Sequence, residues 1–341
     1  CRFYILVIGR RTRSTQGGAS DTSDVFESRV RAGGAPLSGV VGIGGGTGTT
    51  CGRIDCGSVR CWGVGGKLGD GTPTNRPTPG PVDFGAFTGT PVELSVGNGT
   101  ACVRFDDGTV ACWGTNTQGS VGDGTTNNRR RPRTTNLTGS AQAISAGVHG
   151  CAVLVDGTAN CWGANIAGQL GDGTTARQLS PVVVQMLSGA STIGVGATST
   201  CAMHGGLVSC WGQGTFGRLG RGSNLPSLVP VAVVFADDSR LSSVAEITVG
   251  EIGACARTDA GAVYCWGKGN EGEIGDGGLV ARANPTLVPG LSGVVSVSAG
   301  SEFACAVQDD GLVFCWGNND FGQLGDGTEV GRTTPSAVWD L

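Results

Sequence analysis

The chain has 341 residues, of which only 15% are charged, and a formal net charge of −4. That balance excludes broad electrostatic binding of nucleic acid, which needs a basic face. No run of apolar residues approaches the eighteen that a membrane-spanning helix requires, so no transmembrane segment is expected. The 64 glycines follow no collagen period, and the 14 cysteines far outnumber the two histidines. These numbers point to turns, close strand packing and sulfur cross-links, with little material for acid–base catalysis.

Residues 1–36 stand apart. They open with Cys1 and a strand-like run, Phe3-Tyr4-Ile5-Leu6-Val7-Ile8, flanked by Arg2 and by Arg10-Arg11. A Ser/Thr/Gly-rich stretch from Ser14 to Ser23 reads as linker. The run is expected either to complete a blade of its own ring, as a closure strand, or to be donated to a neighbouring molecule. Cys1 would also have the chemistry of a lipid-carrying lead cysteine, although nothing upstream supports a lipid anchor.

From residue 37 onward one block is copied six times, over approximately 37–87, 88–137, 138–186, 187–236, 237–290 and 291–341. Its signature is Cys-Trp-Gly, whose tryptophans Trp62, Trp113, Trp162, Trp211, Trp266 and Trp316 are 51, 49, 49, 55 and 50 residues apart. A period near fifty with turns inside each unit means one supersecondary block, stacked. Upstream of each signature lies a second cysteine, and a hairpin signal separates the two. In five units a glycine sits six places after the first cysteine, as at Gly108 and Gly157, which suits a three-residue loop ending in left-handed glycine. That register sets Cys51 opposite Cys61, Cys102 opposite Cys112, Cys151 opposite Cys161, Cys255 opposite Cys265 and Cys305 opposite Cys315. In the fourth unit Cys201 and Cys210 are one residue closer, and the turn is Gly205-Gly206, which suits a two-residue loop. The shorter spacing is matched by a shorter turn, so the two sulfurs again meet. Opposed residues of an antiparallel pair fall within disulfide reach, and six cross-strand bridges are expected. Reduced, buried cysteines are the alternative, but paired spacing would then be idle. Two thiolates per hairpin do not make a four-ligand zinc site. Neither a metal nor another cofactor is expected.

Each signature leads into a glycine-spaced connection such as Gly168-Gln169-Leu170-Gly171-Asp172-Gly173-Thr174, then a proline-bearing strand, then a small-residue strand. Four short strands per unit is the content of a propeller blade. Cys-Trp-Gly-x-Asn-x-x-Gly-Gln-Leu-Gly-Asp-Gly-Thr, with a downstream Pro-x-x-Val and an Ala-Gly lead-in to the first cysteine, resembles the RCC1 (regulator of chromosome condensation) repeat over residues 37–341. The resemblance implies an all-β propeller, usually seven-bladed; six complete units are present, so a seventh blade would draw on the N-terminal segment. It also implies a small-GTPase exchange factor, a protein-binding module or a secreted inhibitor. Paired cysteines and the lack of a basic face fit the nuclear exchange role poorly.

Chemistry is sparse. His149 and His204 read as structural. The aspartates of the Asp-Gly pairs recur once per unit, which suits turn capping better than catalysis, and Arg221 replaces one of them. The run Arg129-Arg130-Arg131-Pro132-Arg133 reads as a solvated inter-strand loop. Cys56, at a hairpin apex, and Cys1 lie outside the pairing rule; they bond to each other or to another subunit, and the sequence does not choose. Cysteine pairing places the chain in an oxidising compartment, extracellular, at the cell surface or periplasmic. The expected function is non-enzymatic: a protein-interaction or assembly module, with an extracellular fibre built by strand donation as its specific form. A monomeric binder or inhibitor closed by its own strand is the alternative, and a secreted enzyme is a further one.

Overall fold

The computed structural model describes residues 37–339; the run Phe3 to Ile8 and Cys1 lie outside the described residues. Six antiparallel sheets of four strands each follow one another along the chain. The first holds β1 Val40–Gly46, β2 Thr49–Ile54, β3 Val59–Gly63 and β4 Arg76–Pro81. The second holds β5 Pro91–Gly97, β6 Thr100–Phe105, β7 Val110–Gly114 and β8 Arg129–Thr134. The third holds β9 Ala141–Ala146, β10 His149–Leu154, β11 Ala159–Gly163 and β12 Gln178–Val183. The fourth holds β13 Ala190–Val195, β14 Ser199–His204, β15 Leu207–Gly212 and β16 Ser227–Ala232. The fifth holds β17 Val244–Val249, β18 Gly253–Thr258, β19 Val263–Gly267 and β20 Arg282–Leu287. The sixth holds β21 Val294–Ala299, β22 Phe303–Gln308, β23 Val313–Gly317 and β24 Arg332–Ala337. The molecule is a six-bladed propeller. Its first strands line the axis, where Gly44, Val96, Ala146, Val195, Val249 and Ala299 share one channel.

The hairpins form as their glycines dictate. Phe105 N–H donates to the Thr109 carbonyl across Asp106-Asp107-Gly108, and Gly108 takes φ 82°. In the fourth blade Gly205 and Gly206 both take positive φ, and His204 pairs with Leu207. Both turn types bring the cysteines into register, and all six expected disulfides form, with Cα atoms 4.0–4.1 Å apart. The glycine of Cys-Trp-Gly is equally constrained. Gly114 has φ 106°, and a Cβ there would lie 2.1 Å from the Gly99 carbonyl oxygen.

The arginine run differs from its expected loop. It forms β8, the outermost strand of its blade, with one edge free of pairing. An edge strand tolerates both proline and charge, because its outward N–H groups need no partner strand. The segment at Asp237–Arg240 is an exposed turn closed by a bridge between Val234 and Arg240.

Candidate protein-binding surface

The residues with reactive side chains are dispersed. Among the described residues, no three His, Cys, Asp or Glu side chains group as a metal would require. No helix among them is long and apolar enough to cross a membrane. His149 is fully buried between the third and fourth blades, and its Nε2 lies 2.7 Å from Thr200 Oγ1. Thr200 commits its own proton to the Gln169 carbonyl at 2.7 Å, so the imidazole donates from Nε2. Burial pushes its pKa down to about 3. His204 contacts Ser209 Oγ at 2.9 Å. Cys56 is exposed and is the free cysteine among the described residues; the Ser58 hydroxyl, 3.4 Å away, holds its thiol below the usual range. Its pairing with Cys1 falls outside the described residues.

The recurring aspartates cap their turns as expected: Asp70, Asp123, Asp172, Asp276 and Asp326 each accept a backbone N–H two residues on. Their second partner was not anticipated. Arginine six residues on, at the start of the outermost strand, binds the same carboxylate in Asp70–Arg76, Asp123–Arg129, Asp276–Arg282 and Asp326–Arg332. Where Arg221 replaces the aspartate, Ser227 replaces the arginine, and Arg221 binds the Leu225 carbonyl instead. In the third unit Gln178 stands in for the arginine and donates to Asp172 at 3.2 Å; an Asp-x5-Arg spacing in four units, lost at both ends in the fourth, was the available signal. Buried Asn116, Asn165 and Asn319 tie the same loop by donating to its aspartate and accepting from the N–H of Val121, Leu170 and Leu324.

What joins the blades is the tryptophan. Neighbouring residues of a strand point to opposite faces, so where the cysteine faces the following blade, the tryptophan faces the preceding one. Trp113 donates its indole N–H to the Lys67 carbonyl at 3.1 Å, and Trp162 to Ser120 at 2.9 Å. Trp211 reaches Gln169, Trp266 reaches Arg218 and Trp316 reaches Glu273, at 2.9–3.1 Å. A second bond accompanies each. The N–H of Gly71, Gly124, Gly173, Gly222 and Gly277 donates to a carbonyl on the next blade's outermost strand. Around these bonds sits one apolar cluster per interface, such as Cys51, Val59, Leu68 and Val82 against Val103, Phe105 and Trp113.

Among the described residues, one sector lacks this seal. Trp62, the first blade's counterpart of the five buried indoles, is only half-buried and donates to no described residue. On the sixth blade Val338 is 38% exposed, whereas Val184, Val233 and Val288 at the same place in earlier units are 0–2% exposed. Val313 is half-buried at a position that the other blades bury, and Phe303 at one that the first four bury. The glycines repeat the pattern. A Cβ on Gly275 would strike the Trp316 indole at 2.7 Å, but on Gly325 it would meet only Val338, and on Gly327 nothing within 4 Å. Among the described residues, therefore, nothing is seated on the sixth blade's outer interface, which offers the Gln323 carbonyl, the Gly327 N–H and an apolar wall of Phe303, Val313 and Val338.

Copied four-stranded blades around one axis, joined by indole-to-carbonyl bonds and each closed by a cross-strand disulfide, define a β-propeller of repeat type. The family model described as "Regulator of chromosome condensation (RCC1) repeat" matches residues 156–203, 205–252, 260–307 and 310–340, just over half of the chain, and a second model of that description matches 294–323. The chain belongs to the RCC1 repeat family. No curated protein matches it in sequence. Among solved structures, yeast RCC1 (Prp20), in a crystal with Kap60, superposes with a TM-score of 0.77 at 20% identity, covering 88% of this chain and 75% of that one. Prp20p from Saccharomyces cerevisiae gives 0.76 at 21% identity, covering 87% and 76%. Human WBSCR16 gives 0.77 at 20% identity, covering 88% and 82%. At these identities the likeness is one of fold.

Proposed function

We propose that this propeller works by binding protein rather than by catalysis, in an oxidising compartment, secreted or displayed at a cell surface. We further propose that it assembles through its open sector, each copy taking an N-terminal strand from a neighbour to build a fibre. The observation that carries the assembly reading is the vacated interface of the sixth blade, equipped like the five filled ones and exposed. Six buried disulfides support the compartment, since such bonds persist where thiols are not kept reduced. The structural relatives support protein binding in general terms. One is bound to Kap60, and another is described by its binding properties to Gsp1p and histones.

A second reading has an observation of its own. The chain enters β1 at Val40, on the first blade, whose Trp62 face borders the same open sector, so residues 3–8 would also reach the sector of their own molecule. Sedimentation velocity of the full chain and of a form lacking residues 1–12 separates the two. Donation predicts that the full chain associates and the shortened one is a folded monomer. Closure within one chain predicts a monomer whose melting temperature falls on shortening. A full chain that is monomeric and indifferent to the deletion refutes both.

A further inference from the structure

We propose that the vacated seat on the sixth blade selects its strand by charge, and that its occupant is the segment Arg2 to Arg13. This rests on the assembly reading above and specifies the recognition chemistry. In the filled interfaces, the next blade's outermost strand runs over the glycine connection: a Cβ on Gly272 would lie 2.9 Å from the Thr333 Cα, and one on Gly119 would lie 3.2 Å from the Leu179 Cα. At the sixth blade the equivalent Gly322 has, among the described residues, its own loop alone beside it, at 3.8 Å. The track thus admits a backbone at close range. The outermost strands that use such tracks are six residues long, as in Arg332–Ala337, and the run Phe3 to Ile8 has the same length.

The end of the propeller that carries that track is acidic, and Glu329 lines the track itself beside Gly322, Gly325 and Gly327. Glu271, Glu273, Glu302, Asp320 and Glu329 lie on the connections of the fifth and sixth blades at one end of the propeller, with Lys268 among them. Lys268 is itself committed to Glu302 at 2.8 Å and Glu273 at 3.5 Å. The same connections also carry Glu251, Asp276 and Asp326, the last two paired with Arg282 and Arg332. Exposed Leu279, Val280, Val330 and Trp339 are interspersed with them. The complement is in the same sequence: Arg2, Arg10, Arg11 and Arg13 bracket six apolar residues, with no Asp or Glu from 2 to 13. A filled interface shows the same pairing in miniature, where Arg131 on a seated outermost strand binds Asp83 of the preceding blade at 2.7 Å.

The test is hydrogen exchange at the Gly327 amide in the full chain, which reports seating whether the strand comes from the same copy or another. Sedimentation is followed in parallel. One variant carries Glu271→Lys, Asp320→Lys and Glu329→Lys, all exposed side chains; the Asp320 change gives up one bond, from Asn318 at 3.0 Å, and a melting curve checks that the variant is folded. A second carries Arg10→Glu, Arg11→Glu and Arg13→Glu, and a third combines both sets. Each single set is expected to lower Gly327 protection about tenfold, as does raising salt well above physiological strength, and the combination is expected to restore it. Protection that disappears on deleting residues 1–12 but survives both reversals overturns the charge selection and leaves the assembly reading standing. Absence of protection in a wild-type chain that is also monomeric and indifferent to the deletion overturns both.

Discussion

Replacing Trp162 with Phe tests whether the indole bonds hold the ring together. Trp162 is 1% exposed and donates to the Ser120 carbonyl at 2.9 Å, within a cluster that includes Val110, Val121 and Ile144. The substitution leaves a buried carbonyl without its donor, at about 1–3 kcal/mol. It also opens a void of roughly 40 Å³, worth about 1 kcal/mol at the usual cost per unit of cavity. The expected loss is about 2–4 kcal/mol, read as a lower urea midpoint at unchanged slope under non-reducing conditions. Ile166→Ala, at an 85% exposed loop position, serves as control and is expected to stay within about 0.5 kcal/mol. A Trp162→Phe cost as small as that of the control would refute the role given to the indole.

Removing one bridge as Cys151→Ala with Cys161→Ala is expected to lower stability by about 2–3 kcal/mol in the oxidised protein, by loop-closure entropy; urea midpoints check it. Asp326→Ala strands Arg332 and takes an acceptor from Thr328 and Asn319, so a loss of about 3 kcal/mol is expected by thermal melting. Those partners, Thr328 first and Arg332 after it, hold the Asp326 carboxyl down to about 2. Its contribution is therefore complete above the ordinary carboxylate range and is lost as pH falls toward 2. His149 acts in a different window. Folded, it resists protonation down to about pH 3, while the unfolded chain takes the proton near 6.5. Stability should therefore fall on acidification between those values, by about 2 kcal/mol at pH 5 relative to neutrality. His149→Gln should flatten that part of the pH profile.

Much of the fold was legible because its determinants are local and repeated. The Cys201–Cys210 spacing and the Gly205-Gly206 turn change together, and only an antiparallel register with facing sulfurs explains both. The identity of β8 was harder to read: four arginines and a proline look like a loop until the strand is known to be outermost. The direction of the tryptophans was implicit in strand alternation, since each follows a cysteine whose direction the bridge had defined. Closure was not legible. Whether blade six meets blade one depends on small rotations accumulated over every interface, and no residue encodes that sum. The open seat shows itself only when Val338, Gly325 and Trp62 are compared with buried counterparts elsewhere in the ring.

The most direct test of the open sector is exchange of the tryptophan indole protons in the ¹⁵N-labelled full chain. Slow exchange is predicted for Trp113, Trp162, Trp211, Trp266 and Trp316, each bonded across a filled interface. Exchange faster by orders of magnitude is predicted for Trp62, because one strand seated on blade six cannot replace a four-stranded blade against blade one. An indole at Trp62 as protected as the other five would mean that the ring is sealed, and would contradict the account.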